Sequence, residues 1–254
     1  QDLRQAIEKN QFYLLYQPKI DLETGMMMGV EALARWQHPQ KGLVSPAEFI
    51  PVIERIGLVK VLGEWVLKKA CQQAVLWKNS GLVDIRMAVN ISPLHFNDSA
   101  IVKTVKTVLA ESELPPDMLE LEVTESVIQT KAENLITFDT LSKLGVKVAI
   151  DDFGTGYSSL GSLKQLPVNC LKIDRLFVVD MLKDADSSVL LGSIVGMAHA
   201  LGYSIVAEGA EEKDQVIALK GIGCDIIQGF FFSKPVPAED ISTIASKNFL
   251  NFQE

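Results

Sequence analysis

The feature of this sequence that most constrains its fold is an unbroken alternation of strand-like and helix-like segments. Eight strand-length segments of apolar or alternating character are spread over 254 residues, with no Pro/Gly/Ser-rich linker and no internal repeat between them. The predicted strands are Phe12–Gln17, Met26–Trp36, Asp84–Ile91, Leu119–Thr124, Val146–Ile150, Cys170–Ile173, Ser204–Ala207 and Cys224–Gln228. Repeated β-α units indicate a parallel sheet. About eight strands in a chain of this length favour a closed (β/α) barrel over an open doubly wound sheet.

Helical patterns occupy the intervals between these strands. They cover Val61–Lys78, Ile101–Ser112, Ala132–Leu144, Ser187–Ala200, Glu212–Lys220 and a last segment near Ala238–Lys247, and an amphipathic segment, Asp2–Asn10, precedes the first strand. A further helix start is predicted at Ser45, because Pro46 follows it and Glu48 stands three residues on, as in a capping box with proline in the first helical position.

Composition bounds the class of protein. With 48% hydrophobic and 22% charged residues the chain is globular. Its net charge of −8 argues against binding to duplex nucleic acid, which requires a basic face. Cys71, Cys170 and Cys224 are odd in number and lack metal-ligand spacing, which predicts three packed thiols in a reducing compartment.

The sequence has no signal peptide pattern, and no apolar run reaches membrane length; Leu190–Ala207 comes closest but contains polar residues. We therefore expect a cytoplasmic location. This expectation is compatible with a domain that is tethered to a membrane protein. The sequence opens within a helical pattern, so residues 1–254 are interpreted as a single domain of a longer multidomain signalling protein.

Carboxylates collect where the predicted strands end. Glu122 and Glu125 close one apolar strand, and Asp151 and Asp152 close the next. Like charges held close together repel and raise one another's pKa, so such a cluster does not serve stability. A divalent cation resolves this conflict, and the pattern predicts a hard-metal site built from oxygen ligands.

Strand parity brings further polar residues to the same face, since side chains two apart point the same way. Glu31 shares its face with Leu33 and Arg35, Lys172 with Asp174, and Glu208 with Val206. The opposite faces hold aliphatic residues that helices would cover, such as Leu119 and Leu121. The polar set therefore faces the lumen of the predicted barrel, at the strand ends where barrel enzymes keep their chemistry.

Seven ordered motifs in this chain resemble the EAL domain, the cyclic di-GMP-specific phosphodiesterase family, from Tyr16 to Pro235. The motifs are Glu31-Ala32-Leu33-Ala34-Arg35-Trp36, Asn90-Ile91-Ser92, Glu122-Val123-Thr124-Glu125-Ser126, Asp151-Asp152-Phe153-Gly154-Thr155-Gly156-Tyr157-Ser158-Ser159, Leu171-Lys172-Ile173-Asp174, Ala207-Glu208-Gly209 and Gln228-Gly229-Phe230. The resemblance implies a modified TIM (β/α)8 barrel whose first strand runs antiparallel to the rest.

The resemblance also implies a metal-dependent hydrolysis of cyclic di-GMP to linear 5′-pGpG by in-line attack of a metal-bound hydroxide. The implied ligands of one Mg²⁺ or Mn²⁺ are Glu31, Asn90, Glu122 and Asp151, and those around a second ion are Asp151, Asp152 and Glu208. Two ions can clamp a phosphodiester and ionise a water molecule. Ca²⁺ is larger and activates water poorly, so we expect it to inhibit.

The implied catalytic set adds Lys172, Glu208, Glu125 and Asp152 to Glu31. Lys172 would orient water or stabilise transition-state charge, or else compensate buried charge. Glu208 would be a general base or only a metal ligand. Glu125 would anchor the loop Asp152–Ser159, or act as an ordinary acidic residue at a helix start.

The implied substrate contacts are polar residues around the lumen together with one aromatic side chain: Gln17, Arg35, Asp174, Glu211, Gln228 and Phe230. Arg35 suits a phosphate because its fork matches phosphate oxygens. Asp174 would lie near the metals, on the strand face of Lys172. Phe49 and Phe230 are candidates for the guanine environment, with a place in the core as the commoner outcome for a phenylalanine. His38, His95 and His199 share no spacing and are interpreted as surface or packing residues.

Two further functions compete with an active phosphodiesterase. One is a catalytically silent cyclic di-GMP receptor, which the intact motifs disfavour. The other is an unrelated barrel enzyme that uses Mg²⁺ for proton abstraction, which Arg35 and the paired aspartates fit less well. Besides cyclic di-GMP, the expected partners are a second copy of the chain in a homodimer and regulatory sensor or GGDEF-type domains of the full-length protein.

Overall fold

The computed structural model describes residues 2–82, 85–129, 132–154 and 160–250. Nine strands form one sheet within these ranges. They are β1 (Phe12–Asp21), β2 (Met27–His38), β3 (Gly42–Val44), β4 (Arg86–Asn90), β5 (Leu119–Thr124), β6 (Lys147–Phe153), β7 (Cys170–Ile173), β8 (Ser204–Glu208) and β9 (Ile226–Gln228). The strand order is β1-β9-β8-β7-β6-β5-β4-β2-β3, and a further pairing of β1 with β2 closes the sheet into an eight-stranded barrel. The short β3 extends β2 outside that ring.

The first strand runs against the other seven strands of the closed ring. β1 is antiparallel to both of its neighbours, β2 and β9, whereas β2 and β4 to β9 pair in parallel. This confirms the predicted modified barrel. As a consequence, the chain descends from the mouth of the barrel to its floor along β1 and ascends along every other strand of the ring.

Helices cover the outside of the barrel. They are α1 (Asp2–Glu8), α2 (Pro46–Arg55), α3 (Val59–Asn79), α4 (Pro93–Phe96), α5 (Ile101–Ser112), α6 (Ala132–Lys143), α7 (Leu160–Leu163), α8 (Arg175–Asp180), α9 (Ala185–Ala200), α10 (Lys213–Gly221) and α11 (Ala238–Ala245), with 3₁₀ turns at Pro116–Met118 and Glu125–Gln129. The start predicted at Ser45 is confirmed, since its hydroxyl accepts a hydrogen bond from the Ala47 amide and Pro46 opens α2.

The two faces of the strands differ as parity predicts. On β5, Leu119, Leu121 and Val123 point outward and are buried under the helices. Glu120 and Glu122 point inward and are also buried. The apolar core is therefore a shell between strands and helices, and the barrel interior is available for polar groups.

The remaining predictions about packing hold in the described part of the chain. The three cysteines are buried free thiols. His38 and His95 are buried, and the exposed His199 pairs with Asp225. Among the described helices, none combines the length and apolar character that crossing a bilayer requires.

Candidate active site

The ascending strands deliver their last inward-facing residues to a polar cavity of about 290 Å³ at the mouth of the barrel. Strand pairing places these residues side by side: Gln17 is opposite Glu31, Asn90 beside Glu122, and Glu208 beside Gln228. The cavity is lined by eight of the predicted site residues, namely Gln17, Glu31, Asp151, Lys172, Glu208, Glu211, Gln228 and Phe230.

Lys172 lies at the centre of this site. Its Nζ atom is 2.6 Å from a Glu122 oxygen, 2.6 Å from a Glu208 oxygen, 3.2 Å from Asp151 and 3.8 Å from Glu31. The side chain is 1% exposed. Burial alone would lower the pKa of this ammonium, but the four carboxylates outweigh burial and raise it well above its ordinary value. Lys172 is therefore a permanent cation among the predicted metal ligands.

Glu31 is held by amide side chains from two other strands. Both the Asn90 and the Gln228 side-chain amides donate to its carboxylate, and Gln228 also donates to Gln17 at 3.1 Å. The Gln228 oxygen is buried and has no partner among the described residues. An unpaired buried acceptor is costly, so this atom is suited to a donor supplied by a ligand.

The Glu122 carboxylate forms ion pairs with two lysines, Lys19 and Lys172. Of these, only Lys172 was predicted to be at the site. Its two oxygens are each 2.6 Å from an ammonium, Oε1 from that of Lys19 and Oε2 from that of Lys172. Burial would raise the pKa of Glu122, but the two lysines outweigh burial and lower the pKa to about 2. Glu122 therefore stays ionised in a place where an unpaired carboxylate would be neutral.

A second ion pair lies below Glu122. Lys19 Nζ is 2.7 Å from Glu120 Oε1, and Arg86 Nη1 is 3.7 Å from the other Glu120 oxygen. Neither Lys19 nor Glu120 was predicted as a functional residue. The signal was present in the parity, because Lys19 shares the strand face of Gln17, and Glu120 that of Glu122.

Two carboxylates at the mouth have pKa values raised above their ordinary value. Burial, together with the charges of Asp151, Glu31 and Glu122, raises the pKa of Glu208 to about 8 in spite of Lys172. Burial also raises the pKa of Glu31, with a further contribution from Glu122. The lumen thus holds more carboxylates than its two ammoniums neutralise, and a further cation would relieve the excess negative charge.

Carboxylate and amide oxygens are the ligands that a hard divalent cation prefers, so the predicted set fits Mg²⁺ or Mn²⁺ by its chemistry. In the part of the chain that the structure describes, no group of three or more His, Cys, Asp or Glu side chains is spaced to hold a metal ion. Instead, the carboxylates converge on the Lys172 ammonium. Ion binding at this site would therefore have to rearrange the contacts of Lys172.

The strand end of β6 places two adjacent aspartates differently, since Asp151 lines the polar cavity and Asp152 is not among its lining residues. Pairing with β7 is irregular between Ile150 and Phe153, and Asp152 has a positive φ of 53°. This bulge turns Asp152 away from its usual alternation. Burial, followed by the charges of Asp151 and Asp174, raises the pKa of Asp152. Asp174 caps α8 by accepting a hydrogen bond from the Leu176 amide at 2.8 Å, which gives it a local structural role as well.

Glu125 contacts the segment that it was predicted to anchor. Its carboxylate is buried and accepts a hydrogen bond from the Gly154 amide at 3.2 Å. Of the predicted loop Asp152–Ser159, residues 155–159 lie outside the described part of the chain. The contact at Gly154 agrees with the anchor interpretation as far as the described residues extend.

A second cavity of about 300 Å³ adjoins the mouth, between the ends of β2 and β4 and helices α2 to α4. Its walls are mainly apolar, with Arg35 and Asn90 among its polar lining residues, and Leu33 lines both this cavity and the polar one. The Glu54 carboxylate also lines the cavity and accepts a 2.5 Å hydrogen bond from the Ser92 hydroxyl. A flat apolar group with hydrogen-bond donors on one edge would fit such a cavity.

The two aromatic residues predicted for the guanine environment, Phe49 and Phe230, lie in different parts of the structure. Phe49 is 1% exposed and packs on Phe12 and Trp36 in the outer core, so its assignment to a ligand environment was wrong. It follows a helix cap, where a core phenylalanine and a ligand-facing one have the same sequence pattern. Phe230 is 50% exposed at the rim of the polar cavity, with the Lys234 ammonium 5.7 Å from its ring centre.

Glu211 lies at the same rim and is paired with a residue that was not predicted. Its carboxylate is 3.0 Å from Arg175 Nη2. Arg175 also lines the polar cavity and packs against Gly209, where a Cβ atom would be 2.4 Å from Arg175 Cγ. An additional cation therefore faces the mouth from the start of α8.

Comparison with known proteins gives a consistent family. The family model described as the EAL domain matches residues 1–235. The chain is 46% identical over 241 residues to the bifunctional diguanylate cyclase/cyclic di-GMP phosphodiesterase MucR of Pseudomonas aeruginosa, covering 94% of this chain and 35% of that protein. It is 39% identical over 241 residues to the cyclic di-GMP phosphodiesterase PA2567 of the same organism, covering 94% of this chain and 41% of that protein.

A solved structure, the c-di-GMP complex of the PaMucR phosphodiesterase, superposes with a TM-score of 0.91 at 46% identity. The match covers 94% of this chain and 98% of that one. The chain thus spans little more than a third of the length of these two curated relatives, and nearly the whole of the solved domain.

Proposed function

The chain belongs to the EAL domain family, and from this premise we propose that it is a metal-dependent phosphodiesterase that hydrolyses cyclic di-GMP to linear 5′-pGpG. The observation that carries the proposal is the convergence of Glu31, Glu122, Asp151 and Glu208 on Lys172 at the mouth of the barrel. Two of the relatives are named for activity on this nucleotide, and the phosphodiesterase of one of them, MucR, is solved in complex with it.

Substrate capture is assigned to groups that surround the carboxylates. Arg35 lines the apolar cavity, where its guanidinium can bind phosphate oxygens with two parallel hydrogen bonds. The neighbouring apolar cavity suits a purine ring, and the Glu54 carboxylate there suits the donor edge of guanine. The unpartnered Gln228 oxygen supplies an acceptor at the mouth.

Mg²⁺ or Mn²⁺ held by Glu31, Asn90, Glu122 and Asp151, with a second ion near Asp151, Asp152 and Glu208, would polarise the phosphate and favour ionisation of water. Within this arrangement the residues orient the reacting groups. Lys172 is a fixed cation close to the carboxylates and is suited to stabilise charge that develops on the phosphoryl oxygens.

The reaction adds one water molecule to phosphorus and breaks the bond from phosphorus to the 3′ oxygen. The proton lost by water passes to a basic group, and the departing 3′ oxygen gains one. Glu208 is the candidate general base, but burial raises its pKa to about 8, so near neutral pH it has to lose its own proton, as ion binding beside it would favour, before it can accept one from water.

Incubation of the chain with cyclic di-GMP and Mg²⁺, followed by chromatographic separation of nucleotides, tests this function. The expected product is 5′-pGpG. Tight binding of cyclic di-GMP without any turnover would instead support the receptor function. A chain that neither binds nor hydrolyses the nucleotide would contradict both.

Metal dependence has its own test. We expect Mg²⁺ and Mn²⁺ to support hydrolysis and Ca²⁺ to inhibit it, because Ca²⁺ accepts the same oxygen ligands but activates water poorly. Titration with each ion after treatment with a chelator measures this. Undiminished turnover in excess chelator would exclude the proposed metal site.

The activity of the whole protein is a separate proposal. The relatives are longer multidomain proteins, and one of them is named for a diguanylate cyclase activity as well. We expect sensor or GGDEF-type domains to regulate this domain in the full-length chain, through a homodimer and in the cytoplasm. Activity assays on chains with and without the flanking sequence would measure that regulation.

A further inference from the structure

Lys19 is a buried cation that the proposed reaction does not use. It is 4% exposed and lies on β1, two residues after Gln17. Because β1 descends, Gln17 faces the mouth and Lys19 faces the layer below it. Its register partner on β2 is Gly29, which contributes no side chain to the lumen. The barrel therefore provides room for a long cationic side chain directly beneath the site.

The contacts of Lys19 join two carboxylates of β5. Its ammonium is 2.7 Å from Glu120 and 2.6 Å from Glu122. Burial would lower the pKa of Lys19, but these two carboxylates raise it instead. Lys19 thus remains charged and forms an ion pair with Glu122 from below, while Lys172 forms an ion pair with the same carboxylate from the side.

The two ion pairs fix the rotation of the Glu122 carboxylate. Glu122 has two oxygens, and each is committed to a different ammonium. With only Lys172 as a partner, the carboxylate could turn about its terminal bond, and Lys172 would be drawn toward it and away from Glu208 and Asp151. A cation that holds one oxygen leaves the other directed at the reacting region.

We propose that Lys19 is a positioning residue for the phosphodiesterase site, which holds Glu122 by one oxygen so that the other remains oriented toward Lys172 and the mouth. The inference rests on the proposed function for its kinetic consequence. Its consequence for cation binding does not depend on turnover.

The competing interpretation is a purely structural ion pair between Lys19 and Glu120. The two interpretations differ in which carboxylate matters. A structural pair predicts that removing either partner damages the fold and nothing else. Positioning predicts that the contact with Glu122 matters for cation binding and for kcat even when the fold is intact.

Lys19→Met alone would leave two buried carboxylates without their shared cation, so it is liable to unfold. The informative variant is Lys19→Met/Glu120→Gln, which removes one positive and one negative charge and leaves the charge of the lumen unchanged. Glu120→Gln alone is the matched control, because it keeps the contact from Lys19 to Glu122. Thermal melts establish that each variant is folded.

Three quantities are then measured: Mn²⁺ affinity without nucleotide, by electron paramagnetic resonance; cyclic di-GMP affinity in excess chelator; and kcat and KM with Mg²⁺. In the double variant we expect Mn²⁺ affinity and kcat each to fall roughly 10-fold or more, as for other residues that orient metal ligands. KM and nucleotide affinity in chelator should stay near those of the wild type. Glu120→Gln should resemble the wild type in every measurement.

Wild-type Mn²⁺ affinity and kcat in a folded double variant would overturn the proposal, as would equal losses in Glu120→Gln. Tighter Mn²⁺ binding would also overturn it, because Lys19 would then act only as an opposing charge. If the double variant does not fold, Lys19→Arg decides: it keeps the charge but not the compact geometry. Positioning predicts weaker Mn²⁺ binding in Lys19→Arg, and wild-type values would contradict it. A wild-type chain without turnover would remove the proposed function, but the Mn²⁺ measurements would still test Lys19.

Discussion

Lys172 has four carboxylates within 3.8 Å of its ammonium at the mouth of the barrel. If it stabilises the transition state, Lys172→Met should lower kcat by a factor on the order of 10² or more and change KM little. Arg35→Ala is the contrasting variant and should mainly raise KM, because Arg35 lines the apolar cavity and is assigned to phosphate binding. Steady-state kinetics of both variants measure the split. A rise in KM with unchanged kcat in Lys172→Met would assign that lysine to binding.

The raised pKa of Glu208, about 8, predicts the direction in which the stability of the metal-free protein changes with pH. Between the ordinary pKa of 4.5 and about 8, the folded protein holds a proton that the unfolded chain has released. The contribution of Glu208 to stability is therefore present below pH 4.5 and is lost as pH rises toward 8. Thermal melts of the wild type and of Glu208→Gln across this range should converge at low pH and diverge as pH rises. Parallel curves would show that Glu208 titrates normally.

The same protonation predicts how cation binding depends on pH. A divalent cation competes with the proton on Glu208, so Mn²⁺ affinity should increase from pH 6 to pH 9 in the wild type. The increase should be smaller in Glu208→Gln. Proton release on Mn²⁺ addition, followed with a pH indicator in weak buffer, measures the competition directly.

Among the connecting elements, the turn that begins at Asp152 depends on Glu125. Its carboxylate accepts the Gly154 amide, and Gly154 has a φ of 96°. Glu125→Ala should therefore lose most of its activity while its melting temperature stays close to that of the wild type. Glu125→Gln, which keeps an acceptor oxygen, is the control and should retain more activity. Wild-type turnover in Glu125→Ala would remove the anchor role.

The connection after β9 is positioned by a close backbone approach at Gly229. A Cβ atom there would be 2.1 Å from the Ala210 carbonyl oxygen, and backbone atoms cannot yield as a side chain end would. Gly229→Ala should displace Gln228 and Phe230, cost roughly 1–3 kcal/mol in unfolding free energy, and reduce kcat/KM. Gly196→Ala is the control: its Cβ would meet nothing within 4 Å on the exposed side of α9, so stability should rise by up to about 1 kcal/mol. Denaturant melts and kinetics compare the two.

The sequence was sufficient for those elements whose pattern is long enough to be periodic. Helix α5 and strands β5 and β7 have the predicted bounds. Helices α4 and α7 have only four residues each, too few to show a period, and were not predicted. Strand parity correctly brought Glu31, Asp151, Lys172 and Glu208 into one lumen, because parity depends only on neighbours along the chain.

How deep a side chain lies in the lumen, and which residue it contacts, could not be predicted in the same way. Lys19 and Glu120 have the right parity, but their meeting depends on how the barrel closes, because β1 and β5 do not pair with each other and the two residues are 101 positions apart in the chain. Phe49 was misassigned because the direction in which α2 packs is set by Phe12 and Trp36 on other elements. Such features are decided by tertiary contacts and leave no local pattern.

For the molecule as a whole, exposed apolar side chains on and after α8 and on α9 offer a candidate surface for the homodimer that we propose. It consists of Leu176 on α8, Leu182 after it, and Val189 and Leu190 on α9, each between 47% and 70% exposed. Helix α8 also touches the loop start, since a Cβ at Gly154 would be 2.8 Å from the Phe177 ring. An association through this surface would therefore reach the turn that Glu125 holds.

Dimer coupling predicts that specific activity rises with protein concentration, because association would stabilise the ordered loop. Val189→Glu should abolish that rise and give a monomer by analytical ultracentrifugation. Ile136→Glu on α6 changes a side chain of nearly equal exposure, 69% against 70%, and should leave both properties unchanged. Constant specific activity across a measured monomer–dimer transition would separate activity from association.

Closure of the barrel between β1 and β9 has a kinetic consequence. The amide of Gln228 is hydrogen-bonded to Gln17 and Glu31, partners 211 and 197 residues earlier in the chain. Contacts between such distant residues form late in folding, because the entropy of closing so long a loop opposes them. During synthesis the hairpin of β1 and β2 therefore has to wait, with one edge unpaired, until β9 emerges. We expect nucleotide-binding competence to appear in the slowest refolding phase, after most helical structure has formed, and stopped-flow refolding in the presence of a fluorescent cyclic di-GMP analogue would time the two events.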